Sequence, residues 1–556
     1  MAQKRSRTRE EIFADMHREL RAWNPKVPES PDRLDPILRI LLQLYSHQLS
    51  QIDQRIDKVW DVAAGSLVKS LCPESKRWPV PAFTVMRSRP TDPIVEVDPH
   101  TKFFYKEERE GGQTFYFSPL KKERLLSADV RNIFLKLDKS LIDLSPSQDE
   151  SSSTHPRIQT LLPGGNTARI YIAVDSNGRA SDFKDAALFL KGIPDALKQL
   201  RWAYWYPGNN VGGFHEDSGF CPGLTRDIES MFSSGGRTAD WGGLRSSADL
   251  FRPLENNFVI LPEVFASTWE LGPVPAEIVD LASSSGINIP SDEEHYHWIR
   301  LDLPGGGDKS SLQSSFEVFF NCFVVVNKNE LTIFKHTGGN RLVEIELPED
   351  ISSVLEITDV VDSNGRSYGL KHEILDDPSK KFYSLEERND KLVLWFDFTS
   401  GIELPPDSIT LNYSVTSGVS ANGIEAGKVN ELYESHPGIV SVENIIPVSG
   451  AIPAKTEQQI LTEVSARLRN RDRVLSFAEI ANWARTFDPR IQKVECRNGV
   501  ERAERGVRRC IITTVTLKSN DFYSDDEIAL LKTRLNSFLK SRSPVNSRYQ
   551  IEIEKI

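Results

Sequence analysis

A long amphipathic stripe near the start of the chain limits the possible folds more than any other feature of the sequence. Apolar residues recur there at spacings of three, four or multiples of these, and polar residues fill the other positions. This periodicity predicts one helix of roughly seven turns with a single apolar face. The stripe consists of Ile37, Leu41, Leu44, Ile52, Ile56, Val59, Trp60 and Ala63.

The residues that flank the stripe fit the two ends of a helix. Asp35 and Pro36 stand where a helix would begin, since aspartate caps a first turn and proline is tolerated within it. Gly65 favours a stop. A helix of this length has to cover its apolar face, either on the protein's own body or in a bundle with helices of other subunits.

Length and charge restrict the class of protein. The chain has 556 residues, which is too long for one hydrophobic core and predicts roughly three to five domains. Its hydrophobic (39%) and charged (26%) fractions are those of a soluble globular protein. A formal net charge of −11 disfavours nucleic-acid binding by the whole chain, although a local basic patch stays compatible with it.

Cysteine usage and hydropathy point to the compartment of synthesis. The five cysteines are scattered and form no Cys-x-x-Cys pair, so we expect neither a zinc site nor a disulfide framework. No apolar stretch follows the basic N-terminus, and no run of about 18 apolar residues occurs elsewhere. We therefore expect a cytoplasmic protein without a signal peptide or membrane span.

Short strand-like runs punctuated by proline follow the helical segment and predict a β-rich middle. The clearest is Phe319–Asn327. Phe183–Leu200 is predicted to be one helix, with a break near Gly192–Pro194 as the alternative. The fold class is multidomain α+β, with long N-terminal helices, a β-rich, sandwich-like middle and a small C-terminal α+β domain. The predicted segments are 1–70 (helical), 71–200 (first β-rich domain), 201–300 (irregular insertion or loops), 301–415 (second β-rich domain) and 416–556 (α+β domain).

The last part of the chain alternates helix and strand in the order α–α–β–β–α–β. Ser476 with Glu479 is a capping box that begins the second of these helices. The predicted elements are helices over Thr456–Asn470, Ser476–Phe487 and from Ser524, and strands over Ile491–Cys496, Cys510–Leu517 and Tyr549–Ile553.

This C-terminal order resembles the baseplate-J family. The matching stretches are Ser417–Gly427, His436–Gly450, a helix ending at Ala466–Arg469, Phe477–Thr486, Asp488–Val494 and Ser541–Val545. Ala451–Ala454 departs from the family, in which many relatives carry a Gly-Gly-acidic stretch. The N-terminal half is similar to TssF of type VI secretion, through Asp35-Pro36, Phe319–Asn327 with its Asn-Cys-Phe run, and Asp359–Asp362.

The resemblance implies a structural wedge subunit in the baseplate of a contractile injection system. Such proteins bundle their N-terminal helices with a second copy and a TssG-like subunit, and their C-terminal domains join neighbouring wedges around the hub, with sheath above. The predicted partner-helix interface is Ile37, Leu41, Leu44, Ile52, Ile56 and Trp60. The complex would be docked at the inner membrane or released as a particle, and the resemblance does not separate a type VI system from a phage-tail-like particle.

No motif predicts catalysis, a cofactor or a metal. Gly305–Ser310 fails as a phosphate-binding loop because Asp308 precedes Lys309 and the required first glycine is missing. His295 and His297 lie on one face of a predicted strand, which is more typical of a surface strand than of a metal site. We therefore expect no enzymatic activity and no small-molecule substrate.

An arginine-rich stretch stands out in this acidic chain. Between Arg467 and Arg509 there are twelve Lys/Arg and six Asp/Glu. Solvated helix and loop faces would explain it, as would a basic surface that meets an acidic patch of a neighbouring copy. The predicted inter-subunit basic surface is Arg467, Arg469, Arg471, Arg473, Arg502, Arg505, Arg508 and Arg509.

Two alternative functions stay open. A carbohydrate-binding or glycan-processing β-protein could use an aromatic stacking surface. That surface would comprise Trp202, Tyr204, Trp205, Tyr206 and Trp241. A nucleic-acid-binding protein could use the 467–509 stretch, although only Trp483 and Phe487 supply aromatic rings there.

Overall fold

A computed structural model gives the architecture of most of the chain. It describes residues 8–52, 79–108, 112–120, 122–137, 140–145, 168–176, 187–191, 201–206, 213–216, 221–222, 254, 257–260, 269–291, 294–303, 317–370, 381–388, 390–399, 405–454, 473–474, 476–488, 490–503, 506–522, 525–544 and 547–556. The chain forms two compact units. The first contains Met1–Lys76 and Lys455–Arg473, and the second contains Arg77–Ala454 and Val474–Ile556.

The described N-terminal part of the first unit consists of helices joined by short connections. Helix α1 (Arg9–Trp23) is followed by a 3₁₀ turn (Pro31–Arg33) and by helix α2, whose described part spans 36–52. Thr8 and Glu11 form a reciprocal capping box that satisfies free amides at the start of α1. The segment that follows α1 packs back against this helix. Buried His17 of α1 contacts it, with its Nε2 3.2 Å from the carbonyl oxygen of Pro28.

The second unit is strand-rich and multidomain. Its central sheet has the strand order β24-β3-β4-β16-β1-β25. These strands are β1 (Phe83–Pro90), β3 (Phe103–Lys106), β4 (Thr114–Pro119), β16 (Cys322–Asn327), β24 (Glu431–Leu432) and β25 (Ile439–Asn444). Because the sheet takes strands from three of the five predicted segments, the five-segment division stays a prediction.

Strands β1 and β16 are buried on both faces of this sheet. Phe323 and Val325 enter one core, and Val324 and Val326 enter another on the opposite face. A strand covered on both sides gives a continuous hydrophobic run instead of an alternating one, which explains the sequence of Phe319–Asn327. The run is divided at Asn321, whose φ of 56° ends β15 (Glu317–Phe320) and re-aims the chain into β16.

Two buried asparagine side chains fasten this sheet to neighbouring loops. The Asn321 amide donates to the carbonyl oxygen of Leu126 at 2.7 Å and accepts from its N–H at 2.9 Å. The Asn444 side chain accepts from the Val429 N–H at 2.8 Å and donates to the Ile446 oxygen at 2.9 Å. These bonds satisfy backbone groups that burial would otherwise leave unpaired.

Two further sheets and one two-stranded ribbon are formed by strands that lie between those of the central sheet in the sequence. A six-stranded sheet has the order β11-β10-β14-β8-β6-β7, a four-stranded sheet β12-β13-β9-β15, and β2 pairs with β5. The strands are β2 (Ile94–Val97), β5 (Glu123–Leu126), β6 (Ala128–Leu137), β7 (Ser140–Asp143), β8 (Ala168–Ser176), β9 (Ala187–Lys191), β10 (Arg201–Tyr206), β11 (Gly213–Glu216), β12 (Cys221–Pro222), β13 (Phe258–Ile260) and β14 (His297–Leu303). Helix α3 (Ala276–Ser285) packs Ile278 and Ala282 against the six-stranded sheet.

One prediction of local structure is wrong. Ala187–Lys191 lies within the expected helix over Phe183–Leu200, but it forms strand β9. Phe189 of β9 faces Phe258 and Phe319 at its two ladder partners, in a shared apolar core. Tertiary packing therefore overrides the local helical pattern, because strand pairing on both sides buries the same side chains that would have formed a helix face.

Two facing sheets share one apolar core over 329–415. The first has the order β17-β23-β19 and the second β18-β22-β21-β20. The strands are β17 (Asn329–His336), β18 (Leu342–Asp350), β19 (Val354–Asp362), β20 (Tyr368–Leu370), β21 (Lys381–Arg388), β22 (Lys391–Asp397) and β23 (Ser408–Val415). Ile345 and Leu394 from one sheet pack with Leu411 from the other.

The C-terminal module, residues 474–556, contains two helices and a three-stranded sheet ordered β26-β27-β28. Its elements are α4 (Phe477–Phe487), β26 (Ile491–Ala503), β27 (Gly506–Leu517), α5 (Asp525–Arg542) and β28 (Tyr549–Lys555), with a 3₁₀ turn at Ser519–Asp521. Ser476 and Glu479 form the predicted capping box. The predicted helix over Thr456–Asn470 lies outside the described residues. Helix α5 is the crossover between parallel strands β27 and β28, so it covers their inner face.

A buried ion cluster joins the two helices of the module. The Arg490 guanidinium donates to Asp488 at 2.8 Å and to Glu527 at 2.9 Å, and it lies 4.0 Å from the centroid of the Phe522 ring. Burial alone would lower the pKa of Arg490, but attraction to the two carboxylates outweighs it and raises the pKa. The end of α4 is thereby tied to the beginning of α5.

The module contacts the preceding chain through polar groups around Asp521. The Asn422 amide donates to the Asp521 carboxylate at 3.0 Å, and the Gly450 N–H donates to the Asp521 carbonyl at 3.3 Å. Arg490 donates to the same carbonyl at 3.1 Å. Gly450 has a φ of +86°, and a Cβ there would lie 2.3 Å from the Phe83 ring. A side chain at this position would therefore displace the hydrogen bond between the Gly450 N–H and the Asp521 carbonyl.

Replacement of Arg490 tests the role of the buried cluster. We expect Arg490→Ala to lower the free energy of unfolding of the module by about 3–5 kcal/mol, because two buried carboxylates lose their counter-charge. Hydrogen exchange of the β27 amides measures this local stability. Arg497→Ala, which removes an exposed guanidinium from β26, is the control. Equal exchange rates in both variants would contradict the assignment.

Candidate assembly interface

Helix α2 begins where the sequence predicts. The Asp35 carboxylate accepts from the Ile37 N–H at 2.9 Å and from the Leu38 N–H at 3.3 Å. Pro36 occupies the first turn, where its missing N–H has no intrahelical partner to lose. This cap fixes the residue at which the helix begins. It thereby also fixes the direction around the helix axis in which each later residue points.

The two faces of α2 differ in what covers them. Leu42, Ser46 and Ser50, spaced four apart, are buried. The opposite face carries large apolar side chains that remain between 41% and 71% exposed. They are Ile37, Ile40, Leu41, Leu44, Tyr45, Leu49 and Ile52. We call this set the α2 apolar face.

The α2 apolar face contains four of the predicted interface residues, Ile37, Leu41, Leu44 and Ile52. Ile56 and Trp60 lie outside the described residues. Sequence reasoning missed Ile40, Tyr45 and Leu49, which extend the face and which a wider apolar stripe would have included. A contiguous exposed apolar surface is typical of a protein or membrane contact, since water solvates it poorly.

The predicted basic surface is described only in part. Arg473, Arg508 and Arg509 are exposed. Arg467, Arg469, Arg471 and Arg505 lie outside the described residues, and for Arg502 only the backbone of β26 is described. Arg473 belongs to the first unit and the two β27 arginines to the second, so the set is divided between units.

A cluster of titratable side chains joins α3 to the six-stranded sheet. The Glu277 carboxylate accepts from Lys136 at 2.6 Å, from Arg169 at 2.8 Å and from the Tyr171 hydroxyl at 2.9 Å. Partial burial would raise the pKa of Glu277, but these donors outweigh it and lower the pKa to about 2. Burial and Glu277 together raise the pKa of Tyr171.

These shifts hold the cluster in one protonation state. A general acid or base works best with a pKa near the working pH, and both pKa values move away from neutrality. The cluster therefore fastens α3 to strands β6 and β8 by ion pairs.

A cavity of about 210 Å³ is lined in part by four charged side chains that form two ion pairs. The Arg87 guanidinium lies 2.8 Å from Asp129, and the Arg131 guanidinium lies 2.9 Å from Asp175. Ion pairing uses these charges within the protein.

The two candidate histidines lie in different settings, and His295 is exposed just before β14. His297 is buried on β14 beside the Trp269 ring, so the prediction of a surface strand is wrong at this residue. Burial lowers the pKa of His297 to about 4. Within the described residues, no group of three or more His, Cys, Asp or Glu side chains is arranged to hold a metal ion. Gly305–Ser310 lie outside those residues.

The predicted aromatic surface is described only as backbone. Residues 202 and 204–206 lie on β10, but their side chains are outside the described part, as is the whole of Trp241. No described helix is long and apolar enough to cross a membrane.

Comparison with solved structures finds baseplate chains that align with this chain over most of its length. A chain of the type VI secretion TssK-TssF-TssG baseplate subcomplex is 14% identical, with a TM-score of 0.48 over 93% of this chain and 96% of that chain. A chain of a type VI secretion baseplate complex is 16% identical, with a TM-score of 0.38 over 97% and 96%. A chain of the anti-feeding prophage baseplate is 8% identical, with a TM-score of 0.31 over 98% and 70%. No family model and no curated protein matches the chain.

The lowered pKa of Glu277 predicts a pH dependence of stability. The pKa of the Glu277 carboxyl falls from 4.5 in the unfolded chain to about 2 in the folded protein. The stability that the charged Glu277 contributes is therefore complete above pH 4.5 and is lost as the pH falls toward 2. We expect Glu277→Gln to melt at a lower temperature than the parent at pH 6 and to lose less stability on acidification. Thermal unfolding at pH 6, 4 and 2.5 measures this, with Glu10→Gln as a control on α1. Parallel curves for the parent and Glu277→Gln would refute the assignment.

Proposed function

We propose that this chain is a non-catalytic wedge subunit in the baseplate of a contractile injection system. The α2 apolar face is the observation that carries the proposal. A helix that leaves this many large apolar side chains in water is poorly stable alone, and it gains stability when a partner covers it. The occupants proposed are amphipathic helices of a second copy and of a TssG-like subunit, packed as a bundle.

The placement of the motif residues supports the same role. Phe319–Asn327 resembles TssF, whereas His436–Gly450 resembles baseplate J, and β1 pairs with strands from both stretches. Two resemblances separated in sequence thus meet in one sheet. The finer fold assignment, a sandwich-like middle and a C-terminal domain of baseplate-J type, belongs to this proposal, as do the five segment boundaries.

The proposed division of work follows the two units. The first unit joins subunits within a wedge through α2, and the C-terminal module joins neighbouring wedges around the hub. Arg467, Arg469, Arg471, Arg473, Arg502, Arg505, Arg508 and Arg509 are proposed as the inter-subunit basic surface. The assembled complex is proposed to be cytoplasmic, with sheath and hub or spike proteins as neighbours and no cofactor.

A triple substitution tests the interface. We expect Leu41→Asp/Leu44→Asp/Ile52→Asp to reduce co-purification of the partner subunit at least about tenfold, because three carboxylates would have to be desolvated in the bundle. The three side chains are exposed in the chain, so the second unit should keep its circular dichroism spectrum and melting temperature. Pull-down of tagged chain from cells that express the whole gene cluster provides the measurement.

The control adds acidic charge to the same helix beside the α2 apolar face. Gln43→Asp/His47→Asp changes two polar positions that lie next to that face on the helix surface. This variant should retain most of the partner. Full recovery of the partner with the Leu41/Leu44/Ile52 variant would overturn the proposal, and equal loss with both variants would mean that charge on α2, and not its apolar face, governs assembly.

A further inference from the structure

The β26–β27 hairpin is longer than the sheet that supports it. Strand β28 pairs with β27 only over Ile511–Leu517, whereas the β26–β27 ladder continues to the pair Ala503 and Gly506. Residues 499–503 and 506–510 therefore form a two-stranded extension, which we call the ribbon arm. At about 3.3 Å per residue, its five residues a strand give it a length of roughly 16 Å.

The described side chains of the ribbon arm are suited to contact with another molecule. Val500 is 66% exposed, and Arg508 and Arg509 are exposed on the opposite strand. Among the described residues, neither arginine has an ion-pair partner. A two-stranded ribbon is marginally stable in water and leaves unpaired backbone groups along both edges. A partner that covers it would satisfy these groups and shield Val500.

The chemistry of the arm favours an acidic protein surface over nucleic acid. A basic β-ribbon can enter a DNA major groove, but the arm also carries an exposed valine, and no aromatic residue occurs between 497 and 510 to stack on bases. The chain as a whole carries a formal charge of −11, which repels nucleic acid. If two arms paired with each other, Arg508 and Arg509 of one copy would lie near the same arginines of the other and repel them. An acidic surface is therefore the better partner for the arm.

The chain itself contains such a surface. Residues 342–362, which form β18 and β19, contain seven Asp/Glu and no Lys or Arg. Strand β18 lies at the edge of its sheet, where Leu342 is 58% exposed and Glu346 and Asp350 are exposed. The acidic β18 edge thus offers opposite charge together with an exposed apolar residue. Arg508 and Arg509 do not pair with it within one chain, so the contact requires a second copy.

We propose that the ribbon arm of one copy docks on the acidic β18 edge of a second copy. Arg509 and its ladder partner Val500, which share one face of the arm, lie against Glu346 and Leu342, and Arg508 on the other face supplies positive charge beside Asp350. Since the two surfaces differ, the contact is heterologous and can continue from copy to copy until it closes a ring. The inference rests on the proposed function in one respect, that several copies occupy one assembly.

Photo-crosslinking within the intact assembly tests this contact. A photoreactive amino acid replaces Val500 in the full chain, and copies labelled with heavy and light nitrogen are mixed so that mass spectrometry separates links between copies from links within one. We expect links between copies to peptides that contain residues 342–362. Arg508→Glu/Arg509→Glu should reduce their yield at least tenfold, and Glu346→Arg/Asp350→Arg in the second copy should restore it.

The control and the opposing results are defined by the same assay. Lys532→Glu/Lys540→Glu, an equal charge change on α5, should leave the yield unchanged. Links that fall mainly elsewhere in the second copy, on another protein or on DNA would overturn the inference, as would reversal variants with the parent yield. If the proposed function is wrong, the unmodified chain should instead co-purify with no baseplate, sheath or hub proteins.

Discussion

The pairing of β1 with β16 on one side and β25 on the other is the contact on which the rest of the second unit depends. It brings Phe83–Pro90 next to residues more than two hundred positions away, and the Thr84 hydroxyl donates to the Ile446 carbonyl oxygen at 2.7 Å within the buried seam. Because both faces of β1 are covered, one core forms on each side of the sheet. Contacts of such long sequence separation require much of the chain to be ordered first, so we expect this unit to fold slowly.

The chain uses its buried charges for structure. Arg490 with its two carboxylates and Glu277 with its three donors each join helices to other elements, and the resulting pKa shifts hold Arg490 and Glu277 in their charged forms. Groups held in this way fix orientation and are unsuited to proton transfer. This agrees with the proposal of a structural role, in which relative placement of elements matters more than reactivity.

Helix α2 differs from these elements, because two of the three buried residues in its described part are small and polar, whereas most of its large apolar residues are exposed. Ser46 and Ser50 are covered, while Ile37 and Leu44 are exposed. In a monomer this arrangement would be unfavourable, since burial of isoleucine and leucine contributes roughly 1.5–3 kcal/mol each and burial of serine contributes none of it. The arrangement becomes favourable when a second helix covers the α2 apolar face. The free energy of folding of the first unit is therefore coupled to the free energy of its assembly.

The sequence by itself determined the local features whose causes lie within a few residues. The Asp35 cap, the Ser476–Glu479 capping box, the strand at Phe319–Asn327 and the helix–strand order of the C-terminal module all follow from side-chain type and spacing. Only the tertiary structure decided that Ala187–Lys191 is a strand, that Asn321 divides a hydrophobic run, that His297 is buried and that one side of α2 stays open. Those outcomes depend on which distant surfaces cover a segment, and a local pattern of apolar residues shows that a face must be covered without showing what covers it.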